Sequence, residues 1–160
     1  METRVRDNLT GYYTDSYLEE GISSEVNRAR RYGRNLTFLL FDFNIPKKYQ
    51  VDMFFPIFKR VSKEIKVQTR VVDIKIRLGN RILVILPETD LAGAERAASK
   101  IQDNLNGVEF YHAIFDEFFH IKATHSVASY PEDGEEPKNI LRSLTQKMAD
   151  NKETVSEEQS

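Results

Sequence analysis

Apolar residues recur at helical spacing in four stretches of the chain, with shorter strand-like runs between them. Over residues 16–32, Leu18, Ile22, Val26 and Ala29 share one stripe while Glu19, Glu20, Arg28, Arg30 and Arg31 take the other, which predicts an amphipathic helix stopped at Gly33. Leu36-Thr37-Phe38-Leu39-Leu40-Phe41-Asp42-Phe43 is nearly continuously apolar, too short for a buried helix, and closes on a lone carboxylate: a central strand. Phe54, Ile57, Phe58, Val61 and Ile65 give a second helix over 51–67, with Pro56 in its first turns. Two β-rich runs, 74–77 and 82–86, flank Leu78-Gly79-Asn80-Arg81 and predict a hairpin. Leu91, Ala94, Ala97, Ala98, Ile101 and Leu105 mark a third helix, capped by Thr89 or Asp90. Extended runs follow over 108–115 and 118–129, then a helix over 137–150 and a polar end, 151–160, with almost nothing to bury and an expectation of disorder. Strands interleaved with helices predict an α/β (α+β) sandwich with a central mixed, largely antiparallel sheet flanked by helices.

A chain of 160 residues, 40% hydrophobic, has enough apolar surface for one core. Its 23 Lys and Arg against 25 Asp and Glu give a formal net charge of -2, which argues against general attraction to nucleic acid or a membrane surface. The absence of cysteine excludes disulfides, thiolate metal sites and a cysteine nucleophile. No apolar run approaches bilayer length and residues 1–7 lack the apolar segment of a secretion signal, so a cytoplasmic location is expected.

Six collinear segments then resemble one family, the GGDEF domains of bacterial diguanylate cyclases, which make cyclic di-GMP from two GTP molecules. They are Asp7-Asn8-Leu9-Thr10-Gly11-Tyr12; Ala29-Arg30-Arg31-Tyr32-Gly33-Arg34; Leu39-Leu40-Phe41-Asp42; Arg77-Leu78-Gly79; Leu86-Pro87-Glu88-Thr89-Asp90; and Val127-Ala128-Ser129-Tyr130-Pro131-Glu132-Asp133-Gly134. The resemblance covers residues 7–152 as one domain, leaving tails at 1–6 and 153–160. It implies the nucleotidyl-cyclase-like fold.

The resemblance also implies where catalysis would sit, and the chain departs there. The family's Gly-Gly-Asp/Glu-Glu-Phe hairpin sets glycines against the nucleotide and an acid on a divalent metal that neutralises phosphate charge. Here the text is Gly79-Asn80-Arg81-Ile82. Counted back from Pro87, Arg81 takes the acid's place; counted forward from Asp73, Gly79 is the first glycine and the turn is one residue short. A guanidinium there reverses the local charge and cannot deprotonate to compensate. Asp42 keeps one family metal-ligand position, with Asn44 where a second acid is common. Gln50 and Val51 fall where the family's guanine-reading Asn-Asp pair stands, and valine cannot accept from a base edge. Lys152 matches a phosphate-contacting lysine, but Glu153-Thr154 replaces the usual Gly-Arg-Asn, and His125-Ser126 replaces an Ile-Gly pair. These departures lead to the expectation of a pseudoenzyme, with Asp42, Asn44, Gly79, Asn80 and Arg81 as relic positions, no bound metal and no cofactor.

Many family members carry an inhibitory Arg-x-x-Asp site for cyclic di-GMP, and Arg70-Val71-Val72-Asp73 stands at its offset from Gly79. Arg offers a fork to phosphate or guanine, and Asp accepts from guanine N–H groups. The family's second arginine falls on Lys100, which keeps the charge but not the fork. The alternative is a surface ion pair or relic. His112, His120 and His125 lack zinc-ligand spacing. The aromatics Phe110, Tyr111, Phe115, Phe118 and Phe119, like Phe54, Phe55 and Phe58, are expected in the core rather than on a binding face.

The sequence therefore predicts a non-catalytic GGDEF-like signalling protein that binds cyclic di-GMP through Arg70, Asp73 and Lys100, acts as a protein-interaction module, or both. The alternatives are a nucleotide-independent adaptor and a GTP-sensing pseudoenzyme. With six residues before Asp7, no covalent input module is expected, so communication falls to an unidentified signalling protein or a second copy of the chain.

Overall fold

The computed structural model describes residues 5–159, with side chains through 153. The strand that reads as nearly continuously apolar is central: β1 (Leu36–Asn44) lies between β3 (Arg81–Pro87) and β6 (Lys122–Tyr130), and β2 (Ile74–Leu78) pairs with the far side of β3. Period-two alternation divides β1 between two cores. Leu39 and Phe41 meet α2 (Gln50–Gln68) and α3 (Leu91–Gly107), whose Ile57, Phe58, Val61, Ala98, Ile101 and Leu105 are buried. Phe38 and Leu40 meet α1 (Leu18–Tyr32) and α4 (Pro137–Gln159), through Ile22, Val26, Ile140, Leu144 and Met148. Each such large side chain contributes about 1.5–3 kcal/mol on full burial, so the two layers of helix hold the sheet as a three-layer sandwich.

The four named strands pair antiparallel throughout. A parallel bridge between Tyr13 and Ile76 adds the mixed element at the β2 edge. The helix caps follow the sequence: Asp90 accepts from Gly93 N at 2.8 Å, and Gly33 ends α1 in the left-handed region at φ 63°.

Two expectations are corrected. The extended runs over 108–115 and 118–129 are not two long strands. The chain turns at Asp116, φ 52°, so that β4 (Phe110–His112) and β5 (Glu117–Phe119) make a separate two-stranded ribbon before β6 begins. The polar end expected to be disordered is helical to Gln159. Residues 151–159 contain no glycine or proline to break a helix, and with Val155 their one apolar residue they carry no apolar stripe from which to read it. Residues 1–4 and Ser160, parts of the expected tails, lie outside the described residues.

Candidate functional site

The strand register brings Asp42 and Arg81 together. Phe41 pairs with Ile82, and one step further in the same register sets Asp42 opposite Arg81. Arg81 Nε donates to Asp42 Oδ2 at 2.8 Å, and Lys152 Nζ reaches the same oxygen at 3.2 Å from α4. The Asp42 side chain is 13% exposed. One carboxylate thus meets two basic side chains, a guanidinium and an amine.

A divalent cation needs a shell of hard oxygen donors. This corner supplies one carboxylate whose Oδ2 already takes two cationic donors, while Asn44 is exposed at the end of β1. Among the described residues no three His, Asp or Glu side chains gather in metal-holding proximity. The residues present do not fit such an ion.

The Gly79-Asn80 turn joins Leu78 and Arg81, which pair directly. Gly79 sits at φ 63° and Asn80 does not share the positive φ, the pattern of a two-residue hairpin turn with glycine first. Beside it, Asn44, Gln50 and Asn80 line a cleft of about 300 Å³ floored by Phe43, Phe54 and Phe58. The Gln50 amide donates to Ile45 O at 2.9 Å, and Val51 is 95% exposed.

The Arg70-Asp73 pair is a local clasp. Asp73 Oδ2 accepts from Arg70 N at 2.7 Å, and Asp73 Oδ1 accepts from Arg70 Nη2 at 2.8 Å. Nη2 also donates to Pro87 O at 2.7 Å and Thr89 Oγ1 at 2.8 Å. The Arg70 side chain is 50% exposed and that of Asp73 is 3% exposed. The guanidinium is therefore presented, whereas the carboxylate faces inward. Arg70 and Asp73 line a cavity of about 460 Å³ whose lining does not include Lys100, an exposed residue of α3.

The other singled-out side chains divide. Phe58, Phe110 and Phe119 are buried as expected, whereas Phe55, Tyr111, Phe115 and Phe118 are exposed. Tyr49 stacks on Phe119 with ring centroids 3.9 Å apart and donates to Glu117 Oε2 at 2.5 Å, so the floor of the β4–β5 ribbon is held while its outer aromatics face out. Ser126 is buried and donates to Leu144 O at 2.8 Å, tying β6 to α4. His125 lies on β6 with Nδ1 2.5 Å from Gln102 Oε1.

Sequence reasoning missed two features. Buried His112 accepts from Phe115 N on Nδ1 at 3.1 Å, which leaves Nε2–H to donate to Asp52 Oδ2 at 2.6 Å. Arg6, Lys66 and Lys75 join Arg70 around the larger cavity. Neither cluster is contiguous in sequence, so spacing alone held no sign of them.

A family model described as diguanylate cyclase, GGDEF domain, matches residues 4–158. The response regulator PleD of Caulobacter vibrioides is 29% identical over 147 residues, covering 89% of this chain; the chain spans 32% of that relative's length. Among solved structures, the GGDEF domain of DgcB from Caulobacter crescentus, in complex with c-di-GMP, superposes with TM-score 0.86 at 13% identity, covering 97% of this chain and 92% of that one. The diguanylate cyclase SiaD from Pseudomonas aeruginosa, in complex with its activator SiaC, gives 0.85 at 21%, covering 96% and 60%. Among the described residues no helix is long and apolar enough to cross a membrane.

Proposed function

The chain belongs to the GGDEF domain family of diguanylate cyclases, and from that membership we propose that this member is a non-catalytic signalling protein that binds cyclic di-GMP through Arg70. The domain over 7–152 works in the cytoplasm as a receptor, passing ligand occupancy to a protein partner. One observation carries the loss of cyclase activity: Arg81 and Lys152 both hold Asp42 Oδ2, at 2.8 and 3.2 Å. Phosphoryl transfer in this family depends on a metal beside the triphosphate, and a guanidinium and an ammonium on the same carboxylate oxygen compete with such a cation for it. Val51, 95% exposed, adds the loss of a base-edge acceptor.

Receptor function is supported by the half-exposed Arg70 fork, held by Asp73, Pro87 and Thr89. Such prior anchoring lowers the entropy a ligand must remove. A second reading, the nucleotide-independent adaptor, is favoured by the 3% exposure of Asp73, which withholds the acceptor expected to meet guanine.

Calorimetry with cyclic di-GMP decides between them. The receptor gives saturable micromolar or tighter binding that Arg70→Lys weakens, because an ammonium keeps the charge and loses the fork. No binding heat assigns the chain to the adaptor class.

A further inference from the structure

We infer that the cavity between the N-terminal turn, the end of α2 and the start of β2 is a binding site for a phosphoryl anion, held by Arg6, Lys66 and Lys75. Its volume, about 460 Å³, falls within the range of small-molecule sites. On a chain of net charge -2, the lining brings together the cations Arg6, Lys66, Arg70 and Lys75 against one carboxylate, Asp73. That carboxylate is 3% exposed and already paired with Arg70 at 2.8 Å. Among the described residues no carboxylate pairs with Arg6, Lys66 or Lys75.

The heads of two of these cations are fixed without being neutralised. The Arg6 guanidinium lies 3.8 Å above the Tyr13 ring centre and donates to Gly11 O at 3.3 Å. Lys75 Nζ donates to Asp73 O at 3.0 Å. Lys75 is only partly exposed, and burial lowers its pKa below the ordinary 10.5; Asp73 opposes that shift, while Lys66 and Arg6 add to it. The cations thus repel one another in the unliganded protein, and an anion among them would relieve that repulsion. A single carboxylate would match one of the three charges. A phosphomonoester or pyrophosphate carries several charges and several acceptor oxygens, and suits an arginine fork together with two lysine point charges.

This inference shares its cavity with the receptor reading, since Arg70 lines both, but it turns on Arg6, Lys66 and Lys75 rather than on Arg70. Its test is calorimetric titration of the full chain at low salt with inorganic pyrophosphate and, separately, inorganic phosphate. Lys66 is exposed, so Lys66→Glu reverses a charge without disturbing the core; Lys75→Met removes the half-buried ammonium. Saturable binding of either probe, weakened roughly tenfold or more by each variant and unchanged in the distant Lys138→Glu, is the expected result. No binding, or binding that Lys66→Glu and Lys75→Met leave intact, or an equal loss in Lys138→Glu, overturns it. A parallel titration of Arg70→Lys with cyclic di-GMP tests the receptor reading: loss of pyrophosphate binding in Lys66→Glu and Lys75→Met is scored whether or not cyclic di-GMP binds, so the two failures are distinguishable.

Discussion

Arg81 donates to Asp42 at 2.8 Å between β3 and β1, so a cross-strand ion pair fills this corner of the sheet. Opposite charges facing each other on neighbouring strands favour the pairing itself. The carboxylate that persists at Asp42 therefore has a structural role in this chain, joining β1 to β3 and, through Lys152, to α4.

Arg81→Glu converts that attraction into repulsion beside a largely buried carboxylate. The expected loss is about 1–2 kcal/mol in urea unfolding, discounted for the one-third exposure of Arg81. Millimolar manganese should raise the melting temperature of the variant and leave that of the native protein unchanged, since only the variant offers two carboxylates. An equal manganese effect on both proteins contradicts the ion-pair account.

Gly79→Ala should cost about 1 kcal/mol, because the residue sits at φ 63° while the space around it is open and no clash arises. Gly79→Asn should be tolerated better, as asparagine visits this region more readily than alanine. Urea midpoints of the two variants check the order; alanine equal to glycine would show that the turn has another conformation.

His112→Ala should remove about 2–4 kcal/mol. The side chain is 3% exposed, bonds Asp52 and the Phe115 backbone, and stacks on the Phe115 ring at 4.4 Å between centroids. The measurement is chemical unfolding followed by tyrosine fluorescence. A loss below 1 kcal/mol would mean that the β4–β5 ribbon is not anchored to α2 through this residue.

His125 gives a pH dependence of known sign. Burial lowers its pKa below the ordinary 6.5, against the pull of Glu95 and Asp103. The unfolded chain therefore binds this proton more readily, and the stability contributed by neutral His125 is complete above 6.5 and lost as pH falls below it toward the folded value. The thermal midpoint of native protein should drop more steeply than that of His125→Gln between about pH 6.5 and 5; parallel profiles would refute the assignment.

The helices, the central strand and the hairpin were legible because each rests on periodicity or a turn residue: the Leu18, Ile22, Val26 and Ala29 stripe, the unbroken Leu36–Phe43 run, the Gly79 turn. The β4–β5 ribbon was not, since Phe110, Tyr111, Phe118 and Phe119 read as strand formers and the turn at Asp116 carries no glycine or proline. The α4 extension escaped for the opposite reason, because a segment with almost no apolar residues offers no periodicity to read. At the site, Arg81 was visible as a cation where the resemblance expects an acid, but its bond to Asp42 depends on strand register, which composition does not contain. The inward-facing Asp73 was equally hidden: Arg-x-x-Asp names two side chains without saying that they bond each other.

Turnover decides whether the protein can still make cyclic di-GMP. Purified protein incubated with GTP and magnesium or manganese, and analysed for product by liquid chromatography, should yield no cyclic di-GMP above a protein-free blank. Sustained cyclic di-GMP formation, abolished by Asp42→Ala, would contradict the account.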